Sequence, residues 1–189
     1  VYSCVGKTKS EIRYSLENNI LFFNVESEGE LLVINEEASY LSVTANISIR
    51  VNPDVAVESH PYISTGMKDN KFGITYNNAL ALYIKASKLS SLNIIGIDFH
   101  IGSQITSIQP YLDSIKSIRS LVSELKKENI NITHIDVGGG LGISYEDEDI
   151  VSKGDYIKEI TNSLKDLNLT ILFEPGPVSY THLTLPTTD

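Results

Sequence analysis

Six short runs rich in Val, Ile and Phe alternate with amphipathic stretches along this chain, and the alternation leaves few folds open. The runs are Val1–Val5, Ile20–Val25, Ile47–Val51, Ile94–His100, Ile132–Val137 and Leu169–Phe173. Each is short enough for a strand and too short for a stable helix. Several are nearly continuous in apolar character, which predicts parallel strands covered on both faces. Helical spacing fills the intervals. Thr8-Lys9-Ser10-Glu11 has the form of a capping box, followed by Ile12, Leu16 and Ile20. Glu30–Leu41 repeats Leu31, Ile34, Ala38 and Leu41, and Asn77–Leu89 carries Leu80, Tyr83, Ala86 and Leu89. Pro110 suits a first helical turn ahead of Leu112, Ile115, Ile118, Val122 and Leu125. Tyr156, Ile157, Ile160 and Leu164 mark a last helix.

Strand and helix in strict succession predict parallel βαβ units and an α/β fold. A closed barrel of this kind needs eight strands and typically about 250 residues. Six strands in 189 residues therefore predict either an open doubly wound sheet or part of a barrel. The segment Asn52–Phe72 is the longest without periodicity, and long ordered loops in compact domains tend to be functional. Pro177–Asp189 breaks the pattern and is read as a non-native tail beyond a domain of residues 1–176.

Charge narrows the classes of function. The net charge of −9 opposes non-specific binding to nucleic acid, although a local anion site stays compatible with it. No apolar run approaches the ~20 residues of a membrane span. No basic-then-apolar export signal follows Val1, and the expected location is the cytoplasm. Cys4 is the single cysteine, so no internal disulfide is available. Without an export signal, the triplets at Asn46, Asn131 and Asn168 are read as chance matches to the glycosylation pattern.

Ligands of parallel α/β folds bind at the carboxyl ends of the strands, and the distinctive residues cluster there. One strand ends in His100-Ile-Gly-Ser103, another in Gly138-Gly139-Gly140 and a third in Glu174-Pro175-Gly176. Successive glycines let backbone N–H groups converge on a phosphate, to which Ser103 could add a hydroxyl; a tight turn is the plainer reading. His100 could lie flat against a planar ring or be a core histidine. Glu174 at the end of an apolar strand needs a cationic or hydrogen-bonding partner, for which a protonated pyridine nitrogen would serve, unless it is a surface residue at a turn. Arg50 between Ile49 and Val51 is costly to bury unless paired, either with a ligand or in a structural salt bridge. Asp136 is expected to fix the glycine loop by hydrogen bonds. Gly6-Lys7-Thr8 looks like the end of a P-loop, but Val1 stands where the first glycine is required, so Lys7 is expected to be a cap or surface residue.

HIGSQ at 100–104, DVGGGLGI at 136–143 and FEPG at 173–176 together resemble the fold-type III pyridoxal-phosphate decarboxylases. RVNPDV at 50–55, HPYISTG at 60–66 and KFGI at 71–74 are similar to the branch of that family acting on meso-diaminopimelate, and the likeness covers about residues 1–176. The resemblance implies an alanine racemase-like (β/α)₈ barrel, here as an internal fragment holding strands three to eight. It implies pyridoxal 5′-phosphate as cofactor, no metal, an amino-acid substrate and a homodimeric parent protein. On this view His100 stacks on the pyridine ring, Glu174 pairs with its nitrogen, Ser103 with Gly138, Gly139 and Gly140 holds the phosphate, and Gly176 is a further cofactor-binding position. Arg50 lies near the ring, while His60 and Lys71 are motif positions without an assigned role.

The resemblance also implies that decarboxylation gives lysine. The family's Schiff-base lysine is expected upstream of Val1 and its β domain beyond the chain, so no catalytic residue is expected here. Pro177 stands where the family has an arginine. The chain alone is expected to be inactive and marginally folded. Decarboxylases of arginine, ornithine or carboxynorspermidine, or a barrel that binds the cofactor without catalysis, are the alternatives.

Overall fold

The computed structural model describes residues 1–53, 72–142 and 151–176. Within them the order is β1 (Tyr2–Ser3), α1 (Lys9–Glu17), β2 (Phe23–Val25), α2 (Glu28–Tyr40), β3 (Ala45–Asn52), β4 (Ile74–Thr75), α3 (Tyr76–Ala86), β5 (Leu92–Asp98), α4 (Gln109–Lys127), β6 (His134–Asp136), α5 (Lys153–Leu164), a 3₁₀ turn (Lys165–Leu167) and β7 (Thr170–Leu172). Each of the six expected runs contains or overlaps a strand. The two-residue β4 is an addition, too short to show any period, and it pairs with the end of β3 through Val51 and Asn52. Most of Asn52–Phe72, with His60 and Lys71, lies outside the described residues, as does 177–189.

Local chemistry sets the helix ends. The Thr8 hydroxyl accepts from the Glu11 N–H at 3.3 Å while the Glu11 carboxylate accepts from the Thr8 N–H at 2.8 Å, which completes the expected capping box. Ser27 caps α2 through the Glu30 N–H, so this helix starts two residues before the expected Glu30. Pro110 sits in the first turn of α4, whose inner stripe of Tyr111, Ile115, Ile118, Val122 and Leu125 is buried.

All strand pairs are parallel, in the order β1-β2-β3-β5-β6-β7. The sheet is strongly curled. Were it flat, strands spaced ~4.8 Å apart would hold its two edges about 24 Å from each other. Instead the Ser3 hydroxyl on β1 donates to the Glu174 carboxylate just past β7. Deeper in the same hollow, Asn24 of β2 reaches Asp136 of β6 at 3.1 Å, and the rings of Phe22 and His134 meet edge-on at 5.7 Å. The architecture is thus a six-stranded parallel arc of a barrel, with helices on its convex side.

Side-chain alternation divides the strands. Phe23, Val25, Ile47, Ile49, Val51, Ile97, Phe99, Ile135 and Val137 join the buried core with the helices. Asn24, Arg50, Asp98 and Asp136, at the alternate positions, carry polar groups. This corrects the expectation of strands apolar on both faces. The interior of the arc is polar toward the strand ends, and Asp98 interrupts the run before His100 that reads as apolar. Lys7 is a second correction. Its ammonium is buried and donates to the Cys4 carbonyl (2.7 Å), the Asn24 carbonyl (2.7 Å) and the Glu30 carboxylate (2.8 Å), so it is neither a cap nor a surface residue.

Candidate coenzyme site

Three loops meet at the carboxyl ends of β5, β6 and β7. The ladder runs on past the strands, with Phe99 N–H donating to Asp136 O at 3.0 Å, Val137 N–H to Leu172 O at 3.0 Å and Glu174 N–H to Gly138 O at 2.8 Å. Ile105 then bridges to Leu141, its N–H donating to Gly140 O at 2.9 Å. These bonds draw together the imidazole of His100, the three glycines and the carboxylate of Glu174. The Gly139 N–H donates to His100 Nδ1 at 3.2 Å. That bond needs a lone pair on Nδ1, so the ring proton is on Nε2. Burial and the Arg50 charge hold His100 below the ordinary histidine range, which keeps the ring neutral at pH 7.

All three glycines are demanded by close backbone approach, Gly138 because a Cβ there would lie 2.8 Å from the Phe99 carbonyl oxygen. A Cβ on Gly139 would lie 1.9 Å from the Glu174 carbonyl oxygen, and one on Gly140 1.8 Å from that of Gly102. The glycine run is therefore more than a tight turn, because it lets the β5 and β7 loops close onto the β6 loop. Gly138 N–H donates to Asp136 Oδ1 at 3.0 Å, so Asp136 fixes the loop as expected. The buried Tyr111 hydroxyl adds a bond to Gly139 O at 3.0 Å.

Arg50 lies on the polar inner side of the arc. Its guanidinium donates to Glu26 at 2.7 Å, stands 3.9 Å from Asp98 and lies over Phe72 at 5.9 Å. Of the two readings open for it, the salt bridge is present. Burial, and then the Asp136 charge, push the Asp98 carboxyl well above the usual range. Asp136 is raised to about 6 by burial and the neighbouring Glu174 charge. Asn24, Ser3, Glu26, Asp98 and Tyr111 are site residues that the sequence reading passed over. Asn24 and Asp98 carried a signal, as lone polar positions inside apolar strands.

Asp98 yields a pH-dependent expectation. Its Oδ1 has no hydrogen-bond partner among the described residues, a state that typically costs about 1–3 kcal/mol. Since its folded value is raised, the folded chain keeps this proton where the unfolded chain has released it, and stability falls as pH rises through and above the ordinary carboxyl range. Asp98→Asn removes that titration. The variant should melt higher than the parent at pH 8, and the difference should shrink toward pH 4. A lower melting temperature at pH 8, or a pH-independent difference, contradicts the assignment.

The arrangement suits a planar anion with a basic ring nitrogen. A Cβ added to Gly102 or Gly176 would meet nothing within 4 Å, so the backbone is open on both sides of the glycine loop. Ser103 is exposed beside Gly140. The amides of Gly138 and Gly139 are already engaged, by Asp136 and His100. Glu26, Asp136 and Glu174 outnumber Arg50 beside the neutral His100, a balance that favours a ligand with a proton to donate. Pyridoxal phosphate fits both requirements.

Fold and site together define an α/β-barrel domain built to hold a phosphorylated coenzyme at its strand ends. Residues 1–180 match the family model described as pyridoxal-dependent decarboxylase, pyridoxal binding domain. Diaminopimelate decarboxylases from Pseudomonas aeruginosa and Vibrio cholerae are each 48% identical over 93% of this chain, which spans 42% of their length. The crystal structure of diaminopimelate decarboxylase from Helicobacter pylori complexed with L-lysine superposes with a TM-score of 0.83 at 43% identity, over 91% of this chain and 44% of that one. The chain belongs to the pyridoxal-dependent decarboxylase family, as its pyridoxal-binding domain. Among the described residues, no helix is long and apolar enough to cross a membrane.

Proposed function

We propose that this chain is part of a cytoplasmic, homodimeric enzyme that decarboxylates meso-diaminopimelate to L-lysine with pyridoxal phosphate. The observation that carries the reading is the meeting of His100, the glycine loop and Glu174 in one place, Gly139 bonding to His100 and Gly138 to Glu174. The identity with diaminopimelate decarboxylases over 93% of the chain supports this substrate over arginine, ornithine or carboxynorspermidine.

Each residue has a part that its surroundings suit. His100, neutral and tied by Gly139, flanks the coenzyme ring. Glu174 would accept a hydrogen bond from the protonated ring nitrogen and so keep that nitrogen charged. Ser103, Gly140 and Gly176 hold the phosphate, with Gly138 and Gly139 shaping the loop that presents them. Arg50, held by Glu26, sets the charge beside the ring. Once bound, the coenzyme supplies the electron sink for loss of the carboxyl group. None of these residues is assigned as the lysine that anchors the coenzyme, so their part is to orient and bind it. Residues 1–176 are taken as the domain and 177–189 as foreign to it.

The test is carbon dioxide release by the full-length protein from meso-diaminopimelate, ornithine and arginine, with and without pyridoxal phosphate. Coenzyme-dependent turnover of meso-diaminopimelate alone is expected. Failure to bind the coenzyme, or a preference for ornithine or arginine, sinks the proposal.

A further inference from the structure

We infer that Asn24 is a positioning residue, whose side-chain amide holds the carboxylates of Asp136 and, through the Ser3 hydroxyl, Glu174 in fixed orientations. The inference rests on the reading that Glu174 meets the ring nitrogen of pyridoxal phosphate.

Asn24 is fully buried in the middle of β2. Its Nδ2 carries two hydrogens, and two acceptors are in place for them, Ser3 Oγ at 2.7 Å and Asp136 Oδ2 at 3.1 Å. Ser3 has one hydroxyl proton, and it goes to Glu174 Oε1. The bonds therefore run in one direction, from Asn24 to Ser3 to Glu174, and the Glu174 oxygen at the end must act as an acceptor. Asp136 is saturated from the other side, with Oδ1 taking the Gly138 N–H. The backbone carbonyl of Asn24 accepts from the buried Lys7 ammonium at 2.7 Å, which fixes the main chain of the residue, while the side-chain Oδ1 has no hydrogen-bond partner among the described residues.

Residue type matters here. Two carboxylates in one enclosed space repel each other and compete for any donor. A lysine or arginine at this place would bind Glu174 with a full charge and draw it away from a ring N–H. An amide supplies two donors and no net charge, so it binds Asp136 directly and Glu174 through Ser3 without adding a cation that would compete with a ring N–H, while the two carboxyls stay close enough to raise Asp136. An aspartate, though nearly isosteric, would reverse the polarity and add a third carboxylate.

The experiment uses the full-length protein and its Ser3→Ala, Ser3→Thr, Asn24→Asp and Glu174→Gln variants. Three quantities are read: the pyridoxal phosphate dissociation constant by absorbance titration, kcat against KM for meso-diaminopimelate, and the melting temperature without coenzyme. Losing one charge-assisted hydrogen bond should weaken coenzyme binding and lower kcat by about tenfold in Ser3→Ala and in Asn24→Asp, with KM little changed. Ser3→Thr, which restores the hydroxyl, should recover both. Ser3 is exposed, so Ser3→Ala should still fold, with no more than the modest drop in melting temperature expected from one Asn24 N–H left unpaired, and it decides the matter if Asn24→Asp does not fold. Parental binding and kcat in Ser3→Ala overturn the inference, as does a Ser3→Thr variant no better than Ser3→Ala. Glu174→Gln separates the two levels. If it binds and turns over like the parent, the assignment of Glu174 to the ring nitrogen falls and takes Asn24 with it. If it is impaired while Ser3→Ala is not, only the role of Asn24 falls.

Discussion

Gly139→Ala should unfasten the β6 and β7 loops and abolish coenzyme binding. The added methyl would stand 1.9 Å from the Glu174 carbonyl oxygen, a backbone atom with no rotamer to escape into. Relief requires the Glu174 segment to move away, and that breaks the bond from Glu174 N–H to Gly138 O and displaces the carboxylate proposed to meet the ring nitrogen. Overpacking typically costs about 1–3 kcal/mol and occasionally more, and a clash with main chain belongs at the upper end. Gly154→Ala in α5 is the matched control, because a Cβ there meets only the Ser152 hydroxyl, 3.8 Å away. Urea unfolding and coenzyme titration check the pair. A Gly139→Ala protein as stable and as avid as the parent would show that the loops do not pack in this way.

Lys7→Ala should destabilise the protein by ~3–5 kcal/mol, the usual consequence of removing one member of a buried ion pair. All three ammonium hydrogens are engaged: one on Glu30, whose side chain is 8% exposed, and two on the carbonyls of Cys4 and Asn24. Removal strands a carboxylate and two carbonyls at the ends of β1 and β2. Lys7→Met keeps most of the volume and should be nearly as harmful, since the charge on Glu30 stays uncompensated. The double change Lys7→Met with Glu30→Gln should recover much of the loss, because replacing both charges leaves none stranded. A cost below about 1 kcal/mol for Lys7→Ala in chemical denaturation would place Lys7 among ordinary surface pairs instead.

Lys7 also shows where reading the sequence stops. Gly6-Lys7-Thr8 invites comparison with a phosphate loop, and once that is set aside a lysine beside a helix cap looks like a surface residue. Its real partners are a carbonyl three residues away, another seventeen away and a carboxylate twenty-three away. No local signal announces them. Arg50 is similar. Its cost of burial is plain from Ile-Arg-Val, but whether a ligand or a salt bridge meets that cost depended on Glu26 and Asp98 arriving from β2 and β5.

What the amino-acid order determined by itself is local. The parallel βα alternation, the Thr8–Glu11 capping box, the first-turn Pro110 and the glycines after β6 express backbone preferences and hydrophobic periods that act over a few residues. Only the tertiary structure decided which polar groups share the hollow of the arc. Asn24 meets Asp136 across 112 positions of sequence and Ser3 meets Glu174 across 171, because curling brings the sheet edges together and leaves these side chains few partners but one another. In a flat sheet of the same strands, each would have faced water.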